Sequence, residues 1–271
     1  MKIPIYQVDA FASSRFKGNP AAVCLLESWL DDSLLQLIAT ENNLSETAFV
    51  KKRSVGQYEL RWFTPSFEIS LCGHATLAAS YVIFQHVDGE QEVIHFFTKS
   101  GELIVTQEGG RLVMDFPSYE VEPINTTQTM IAGLGGTPRE MFQSGINYYA
   151  IFDSEHEVRS LTPNFAAILD LIRGNQFIGI VPTARGEEYD FVSRYFAPEE
   201  GTNMGEDPVT GSIHSVLIPY WADRLGKTKM HAYQASERGG ELFCELIERD
   251  GFKRSIIGGV VQPYLEGIIE V

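Results

Sequence analysis

The sequence is poor in cysteine and in basic residues. Its three cysteines, Cys24, Cys72 and Cys244, are odd in number and widely spaced, with no CxxC pair among them. Neither a disulfide framework nor a metal site is therefore expected. Lysine and arginine number 21 against 36 acidic residues, which gives a net charge of −15 at pH 7. A protein that binds nucleic acid or an anionic membrane needs a basic surface, so neither partner is expected.

Long apolar runs and nucleotide-binding fingerprints are also missing. The first eleven residues alternate like a strand and lack a long apolar segment, so no signal peptide is predicted. No run approaches membrane-spanning length. The sequence contains no P-loop, and no predicted strand is followed by the glycine-rich fingerprint of a dinucleotide-binding fold. No cofactor is therefore expected. With no sign of disulfides, these absences predict a cytoplasmic setting.

The sequence contains two copies of one motif. Residues 61–65 read RWFTP and residues 194–198 read RYFAP, and each copy is followed by an acidic loop and a glycine, Gly73 or Gly211, that opens a helical pattern. Repeats of this size indicate a tandem duplication. The length of 271 residues also fits about two domains. We therefore predict domains at 1–120 and 121–271, joined through the polar segment 118–137.

The predicted fold class is α+β, because each half offers many strands and one principal helix. The principal helices are predicted near residues 74–84 and near residues 212–224. Two related halves commonly face each other across a cleft. The C-terminal strand is a candidate to return to the first domain.

Two predicted helix N-termini offer places to bind a small anion, because the first N–H groups of a helix lack partners within it. Thr210, Gly211 and Ser212 lead into the second helix, and Asp207 lies just before them. His74 lies at the start of the first helix. Across a cleft, both N-termini would face one ligand. The alternative at the second helix is an ordinary capped helix with Ser212 as its N-terminal polar residue.

Glu46 is the candidate general base. It is the one acid at the entrance of an otherwise apolar predicted strand, residues 44–50, although a solvated glutamate at a strand end is the alternative. Nucleophilic catalysis is less supported, because the sequence TGSIH around Ser212 is not GxSxG. Cys72 precedes a helix and could have a lowered pKa, or it could be a small buried apolar residue.

Seven segments together resemble the PhzF-like phenazine-biosynthesis isomerase family, in order and over nearly the whole chain. They are DAF at 9–11, GNPAAV at 18–23, LSETAFV at 44–50, RWFTP, CGHATLAAS at 72–80, RYFAP and GEDPVTGS at 205–212. The resemblance implies the duplicated fold of diaminopimelate epimerase, in which each domain is a mixed or antiparallel sheet wrapped around a central helix. It also implies a site between the domains, proton transfer without cofactor or metal, and a homodimer.

The resemblance also assigns roles to residues. Glu46 of SETAF would be the acid/base that moves a proton between carbons of a dihydro-hydroxyanthranilate-like carboxylic acid. His74, Asp207 and Ser212 would hold polar groups of the substrate, and the backbone N–H groups of Gly73 and Gly211 would complete the anion site. Asn19, in GNPAAV, is a further candidate.

Two alternative functions stay open. Epimerases of the same fold use two cysteines, one before each helix-opening glycine, whereas this chain has Cys72 and Thr210 there. Loss of the second thiol argues against two-base racemisation but leaves an epimerase or dehydratase that uses Cys72. The other alternative is a protein that binds a small acid without catalysis, which would have little use for Glu46. The expected function is a cytoplasmic isomerase of a small carboxylic acid.

Overall fold

The computed structural model describes residues 1–198 and 205–271. The strands are β1 (Lys2–Ala10), β2 (Asn19–Leu26), β3 (Glu46–Ser54), β4 (Gln57–Phe63), β5 (Glu68–Ile69), β6 (Val93–Thr98), β7 (Gly101–Glu108), β8 (Arg111–Pro117), β9 (Glu122–Ile124), β10 (Glu140–Ser144), β11 (Asn147–Ile151), β12 (Gly179–Arg185), β13 (Phe191–Ser193), β14 (Lys229–Gln234), β15 (Gly240–Arg249), β16 (Phe252–Gly259) and β17 (Val261–Glu270). The helices are α1 (Asp32–Asn42), α2 (Gly73–His86), α3 (Gln128–Leu134), α4 (Glu155–Ser160), α5 (Phe165–Ile172) and α6 (His214–Leu225). In these two stretches of chain, no helix is long and apolar enough to cross a membrane.

The chain forms two compact units. Unit 1 comprises Met1–Asp115 together with Ile257–Val271, and unit 2 comprises Phe116–Ile256. The chain enters unit 2 within β8 and leaves it within β16, so β17 belongs to unit 1. There β17 pairs antiparallel with β1 along the length of both strands. The predicted boundary at residue 120 therefore falls inside unit 2, and the C-terminal residues are part of unit 1.

The segment 118–137, predicted to join the domains, is folded structure of unit 2. It contains β9 and α3, and Thr127 caps α3 by accepting a hydrogen bond from the backbone N–H of Met130. Met130 and Leu134 are buried in the core of unit 2. The prediction was wrong because α3 is short, and its few apolar residues lie among polar ones and glycines.

The two units repeat one order of strand pairing. In unit 1, β1–β2 is antiparallel, β2–β3 parallel, β3–β4 antiparallel, β4–β6 parallel and β6–β7 antiparallel. In unit 2, the pairs β10–β11, β11–β12, β12–β13, β13–β14 and β14–β15 follow the same sequence of senses. The predicted duplicated α+β fold is confirmed.

One helix lies at the centre of each unit. Helix α2 contacts β1, β2, β3 and β17, and it is buried around nearly its whole circumference. Such a helix has little amphipathic pattern, and alanines such as Ala75, Ala78 and Ala79 let the strands approach closely. Helix α6 packs against β14 and β15 in unit 2. Truncating a fully buried side chain such as Leu77 to alanine would cost roughly 2–5 kcal/mol.

The second central helix begins two residues later than predicted. Residues 211–213 form a turn in which the N–H groups of His214, Ser215 and Val216 donate to the carbonyls three residues earlier, at 3.0–3.1 Å. Ser212 lies in this turn and is exposed, so the prediction that it opens α6 was wrong. Many helices begin or end with such a 3₁₀-type turn, in which each N–H donates to the carbonyl three residues earlier. The hydrophobic pattern of the sequence does not predict where it occurs.

The repeated motif builds the same ion pair in each unit. The Arg61 guanidinium donates to both carboxylate oxygens of Glu68, at 2.7 and 2.8 Å, and Arg194 does the same to Glu206 at the same two distances. Each glutamate is also paired in β-bridge geometry with the phenylalanine of its motif, Phe63 or Phe196. A bidentate pair fixes both partners in one orientation. These pairs therefore fix the position of Glu68, which precedes Cys72, and of Glu206, which directly precedes Asp207.

Candidate active site

Three chain segments of unit 1 bring four candidate residues together. Strands β2 and β3 are parallel neighbours, with Ala21 opposite Glu46, so their first residues, Asn19 and Glu46, lie at the same edge. The turn before β2 requires Gly18, which has φ of +69° and approaches the Ala10 carbonyl too closely for a Cβ atom. Cys72 precedes α2, and His74 is the second residue of that helix.

His74 is the centre of this cluster. Its Nε2 atom lies 3.0 Å from Oε2 of Glu46, and its Nδ1 atom lies 3.2 Å from the Asn19 side-chain nitrogen and 3.4 Å from Sγ of Cys72. The His74 side chain is 4% exposed, and that of Glu46 is 15% exposed. The imidazole is thus enclosed, whereas the carboxylate keeps a small accessible surface.

The neighbours of His74 determine its protonation. Nε2 carries a proton that points toward Glu46 both in the imidazolium and in the neutral ring whose Nδ1 accepts from the Asn19 amide nitrogen. Burial opposes the charged imidazolium, but the pKa of His74 is raised well above its ordinary value, and near neutral pH the neighbouring negative charge that favours the imidazolium is the Glu46 carboxylate. The site therefore favours a positive imidazolium beside the carboxylate, a pair that can hold a small acid and exchange a proton with it.

Cys72 is a thiol at neutral pH. Its complete burial, with a smaller contribution from the nearby Glu46 carboxylate, raises the pKa of Cys72 to about 11. Of the two alternatives for Cys72, the small buried residue is confirmed and the lowered pKa is wrong, because burial of the sulfur raises the pKa. Cys72 is therefore not a ready base, although its sulfur points at His74.

A second group of candidates lies in unit 2, in the turn before α6. The Thr210 hydroxyl donates to the Asp207 carboxylate, and the Gln234 side chain holds this turn from β14. Gln234 accepts from the Thr210 N–H at 2.8 Å and donates to the Asp207 carbonyl at 2.9 Å. Gly211 is buried in the next turn, whereas Ser212 faces solvent. Asp207 is thus held in place by groups on both sides.

Gln234, which holds the turn before α6, is not among the candidate residues named from the sequence. It is fully buried, at an inward position of β14, where Met230 and Ala232 are also buried. A polar side chain at an inward position of an alternating strand needs hydrogen-bond partners, and this is the signal that could have identified it. In unit 1 the corresponding signal was Asn19, a polar residue at the start of a buried strand.

Three of these residues are also able to ligate a metal ion. Glu46, Cys72 and His74 each offer one ligand atom, and the three atoms lie within 4.8 Å of one another. No metal site was predicted because the ligands come from a strand and from the start of a helix more than twenty residues apart, rather than from one short motif.

The family model, the related sequences and the solved structures that resemble this chain all point to one family. Residues 8–262 match the model of the PhzC–PhzF family, described as phenazine biosynthesis-like protein. The chain is 47% identical over its whole length to an uncharacterized isomerase of Pseudomonas aeruginosa, which is also covered completely. It is 44% identical to the crystal structure of a PhzF-family protein from Enterococcus faecalis, with a TM-score of 0.92 and complete coverage of both chains.

More distant structures share the fold alone. A hydroxyproline epimerase from Agrobacterium vitis superposes with a TM-score of 0.62 at 10% identity, covering 99% of this chain and 92% of its own. The predicted resemblance is thereby confirmed at the level of both sequence and structure. The chain belongs to the phenazine biosynthesis-like, or PhzC–PhzF, family.

Proposed function

We propose that the protein is an isomerase that moves a proton within a small carboxylic acid, with Glu46 as the acid/base and without a cofactor or metal in the reaction. The observation that carries the proposal is the pair formed by Glu46 and His74. An enclosed imidazole lies 3.0 Å from a carboxylate that keeps a small accessible surface. A general acid/base needs this combination of access to the substrate and a partner that stabilises its charge.

The proposed reaction has two proton transfers. The Glu46 carboxylate takes a proton from a carbon activated by a neighbouring unsaturated or carbonyl group, and the electron pair moves into that group. The Glu46 carboxylic acid then returns the same proton to another carbon, so the substrate is isomerised without net gain or loss. The His74 imidazolium stabilises the carboxylate and would bind an anionic group of the substrate. Exclusion of water keeps the proton from exchanging with solvent between the two steps.

Unit 2 is proposed to supply the groups that orient the substrate. The Asp207 carboxylate is held by Thr210 and Gln234, so its position does not depend on the substrate. In our proposal Asp207 accepts from an amino or hydroxyl group, and Ser212 together with the N–H groups at Gly73 and Gly211 binds the substrate carboxylate. This assignment follows the predicted cleft between the domains.

The duplication itself supports a single acid/base. Strand β3 begins with Glu46, whereas β12, its counterpart in unit 2, reads GIVPTAR and contains no acid. Thr210 replaces a second cysteine and donates its hydroxyl hydrogen to Asp207. One catalytic carboxylate that works on one face of the substrate therefore fits these residues better than two opposed bases do.

An epimerase or dehydratase that uses Cys72 is the second candidate, and one contact favours it: the sulfur lies 3.4 Å from Nδ1 of His74. Removal of a thiol proton by that histidine would give a nucleophile or base. The third possibility is a protein that binds small acids without catalysis. Such a protein would use only the charges of the Glu46–His74 pair and not its ability to transfer a proton.

The deciding experiment compares Glu46→Gln with Cys72→Ala, both against wild type. Binding of small carboxylic acids is measured by calorimetry, and turnover is measured by NMR. We expect Glu46→Gln to keep binding and lose turnover by at least about a hundredfold, whereas Cys72→Ala keeps both. Normal turnover in Glu46→Gln would refute the proposal. Loss of turnover in Cys72→Ala alone would move the function to the second candidate.

A further inference from the structure

We propose that Glu46, Cys72 and His74 form a binding site for a thiophilic divalent metal ion such as Zn²⁺, and that the bound ion blocks the acid/base role of Glu46. The metal-binding part of the proposal depends only on the three ligand residues. The inhibition rests on the proposed function, so the two parts are tested by different measurements.

The ligand set is that of a three-ligand zinc site. Zinc takes thiolate, imidazole and carboxylate ligands, and sites with three protein ligands leave a fourth position open. Here one residue of each type contributes one atom, and the three atoms lie within 4.8 Å of one another. Cys72 and His74 are buried, which protects the site from exchange with surface ligands.

The ligand atoms, which lie within 4.8 Å of one another, must draw closer to surround one ion. Ligands at about 2.0–2.3 Å from a tetrahedral ion lie roughly 3–4 Å apart. The Cys72 sulfur is 3.4 Å from Nδ1 of His74, and Nε2 of His74 is 3.0 Å from Oε2 of Glu46. Because one ion takes one ring nitrogen, binding requires a small rotation of the imidazole or of the Cys72 side chain.

Two of the ligand atoms face each other at 3.0 Å but do not form a well-aligned hydrogen bond. Oε2 of Glu46 and Nε2 of His74 are buried, and among the residues that the structure describes neither atom has a hydrogen bond of acceptable geometry, although the two face each other. The His74 side chain is more than nine-tenths buried. A buried polar atom without a hydrogen bond costs free energy. Coordination of both atoms by a metal ion would remove this cost.

Charge favours a divalent ion over other ligands. When the ion binds, the Cys72 thiol and the His74 imidazolium each release one proton to solvent, and they coordinate as a thiolate and a neutral imidazole. One thiolate and one carboxylate neutralise an ion of charge +2, so the loaded site has no net charge to bury. Thiolate and imidazole ligands select zinc-like ions over Mg²⁺ or Ca²⁺, which prefer oxygen.

Asn19 is placed to support the bound state. Metal-binding histidines usually donate their second ring N–H to a neighbouring oxygen. The Asn19 amide lies 3.2 Å from Nδ1 of His74. A half-turn of the amide presents its carbonyl oxygen to Nδ1–H and leaves Nε2 to coordinate the ion beside Glu46.

Co²⁺ titration of the metal-free full-length protein tests the binding. Co²⁺ coordinated by a thiolate gives a charge-transfer absorption band, and Zn²⁺ should displace it. We expect Cys72→Ser to abolish the band, and Glu46→Gln and Cys72→Ser each to weaken Zn²⁺ binding by at least about tenfold. The control is Cys24→Ser, which alters another buried cysteine of unit 1. A band that persists in Cys72→Ser, or disappears equally in Cys24→Ser, would overturn the assignment, and so would Zn²⁺ affinity that is unchanged in Glu46→Gln.

Deuterium incorporation into an active substrate tests the inhibition. We expect incorporation by wild-type protein to fall in proportion to Zn²⁺ occupancy and to return when a chelator removes the ion. Binding with undiminished incorporation would refute the inhibition and leave the site. Absence of incorporation in the metal-free enzyme would instead count against the proposed function, so the two failures are distinguishable.

Discussion

His214 should make the stability of unit 2 depend on pH. Its side chain is fully buried in α6, beside Phe191, and Nδ1 bonds to the Thr210 carbonyl at 2.8 Å. Because a carbonyl accepts only, the ring proton is on Nδ1, and the buried Nε2 has no hydrogen-bond partner among the described residues. Burial lowers the pKa of His214 from 6.5 to about 4, since a second proton would place an unpaired charge in the core.

The sign and size of the effect follow from linkage. Between about pH 6.5 and about pH 4 the unfolded state binds the proton and the folded state does not, so acidification favours unfolding across this interval. At about 1.4 kcal/mol for each pH unit, the whole interval amounts to roughly 3 kcal/mol. Above the interval His214 is neutral in both states, and below it the imidazole is charged in both. The contribution of His214 to the pH dependence of the unfolding free energy is therefore confined to this interval.

The assay is urea unfolding at several pH values, with hydrogen exchange in peptides of α6 to report on unit 2. His214→Gln keeps a donor for the Thr210 carbonyl, and we expect its unfolding free energy to lose less on acidification than that of wild type, by about 2–3 kcal/mol. The control is His156→Gln, which removes an exposed histidine of α4 and should follow wild type. If His214→Gln and wild type lose stability in parallel, the account of His214 is refuted.

Two further predictions concern the groups that hold Asp207. Glu206→Gln leaves the buried Arg194 guanidinium with carbonyl acceptors but without its carboxylate, so unfolding free energy should fall by about 2–3 kcal/mol, and KM should rise. Unchanged stability in thermal melts would contradict the structural role of this pair. Gln234→Ala removes the bonds to Thr210 and Asp207, and we expect a loss of about 1–3 kcal/mol together with reduced activity. Unchanged activity would show that Gln234 does not position the turn.

The duplicated fold could be predicted because its signals are local and repeated. The RWFTP and RYFAP copies mark the same structure twice, and the arginine of each copy pairs with a glutamate of the following loop. The central helix of unit 1 was also predicted, since residues 73–86 contain neither proline nor a charged residue that would interrupt it. The family resemblance supplied the wrapped arrangement of strands, which periodicity alone does not specify.

The features that were missed depend on contacts between distant residues. Nothing in the sequence around Cys72 says that its sulfur is desolvated and lies beside Glu46, yet burial above all, with a smaller contribution from Glu46, raises the pKa of this thiol. Helix α6 begins later than predicted because hydrogen bonds to the carbonyls three residues earlier replace the first α-helical turn at Ser212. The role of Gln234 follows from its partners in another segment of the chain. The predicted homodimer, the cytoplasmic setting and the identity of the substrate acid stay predictions.

Proton exchange measured by NMR in deuterated buffer tests the central claim most directly. The substrates are dihydro-hydroxyanthranilate, diaminopimelate, hydroxyprolines and related small acids, tested with wild type, Glu46→Gln and Cys72→Ala. We predict that wild type and Cys72→Ala incorporate deuterium into one class of acid, and that Glu46→Gln does not. Incorporation that persists in Glu46→Gln, or that disappears in Cys72→Ala, would contradict the assignment of Glu46 as the acid/base.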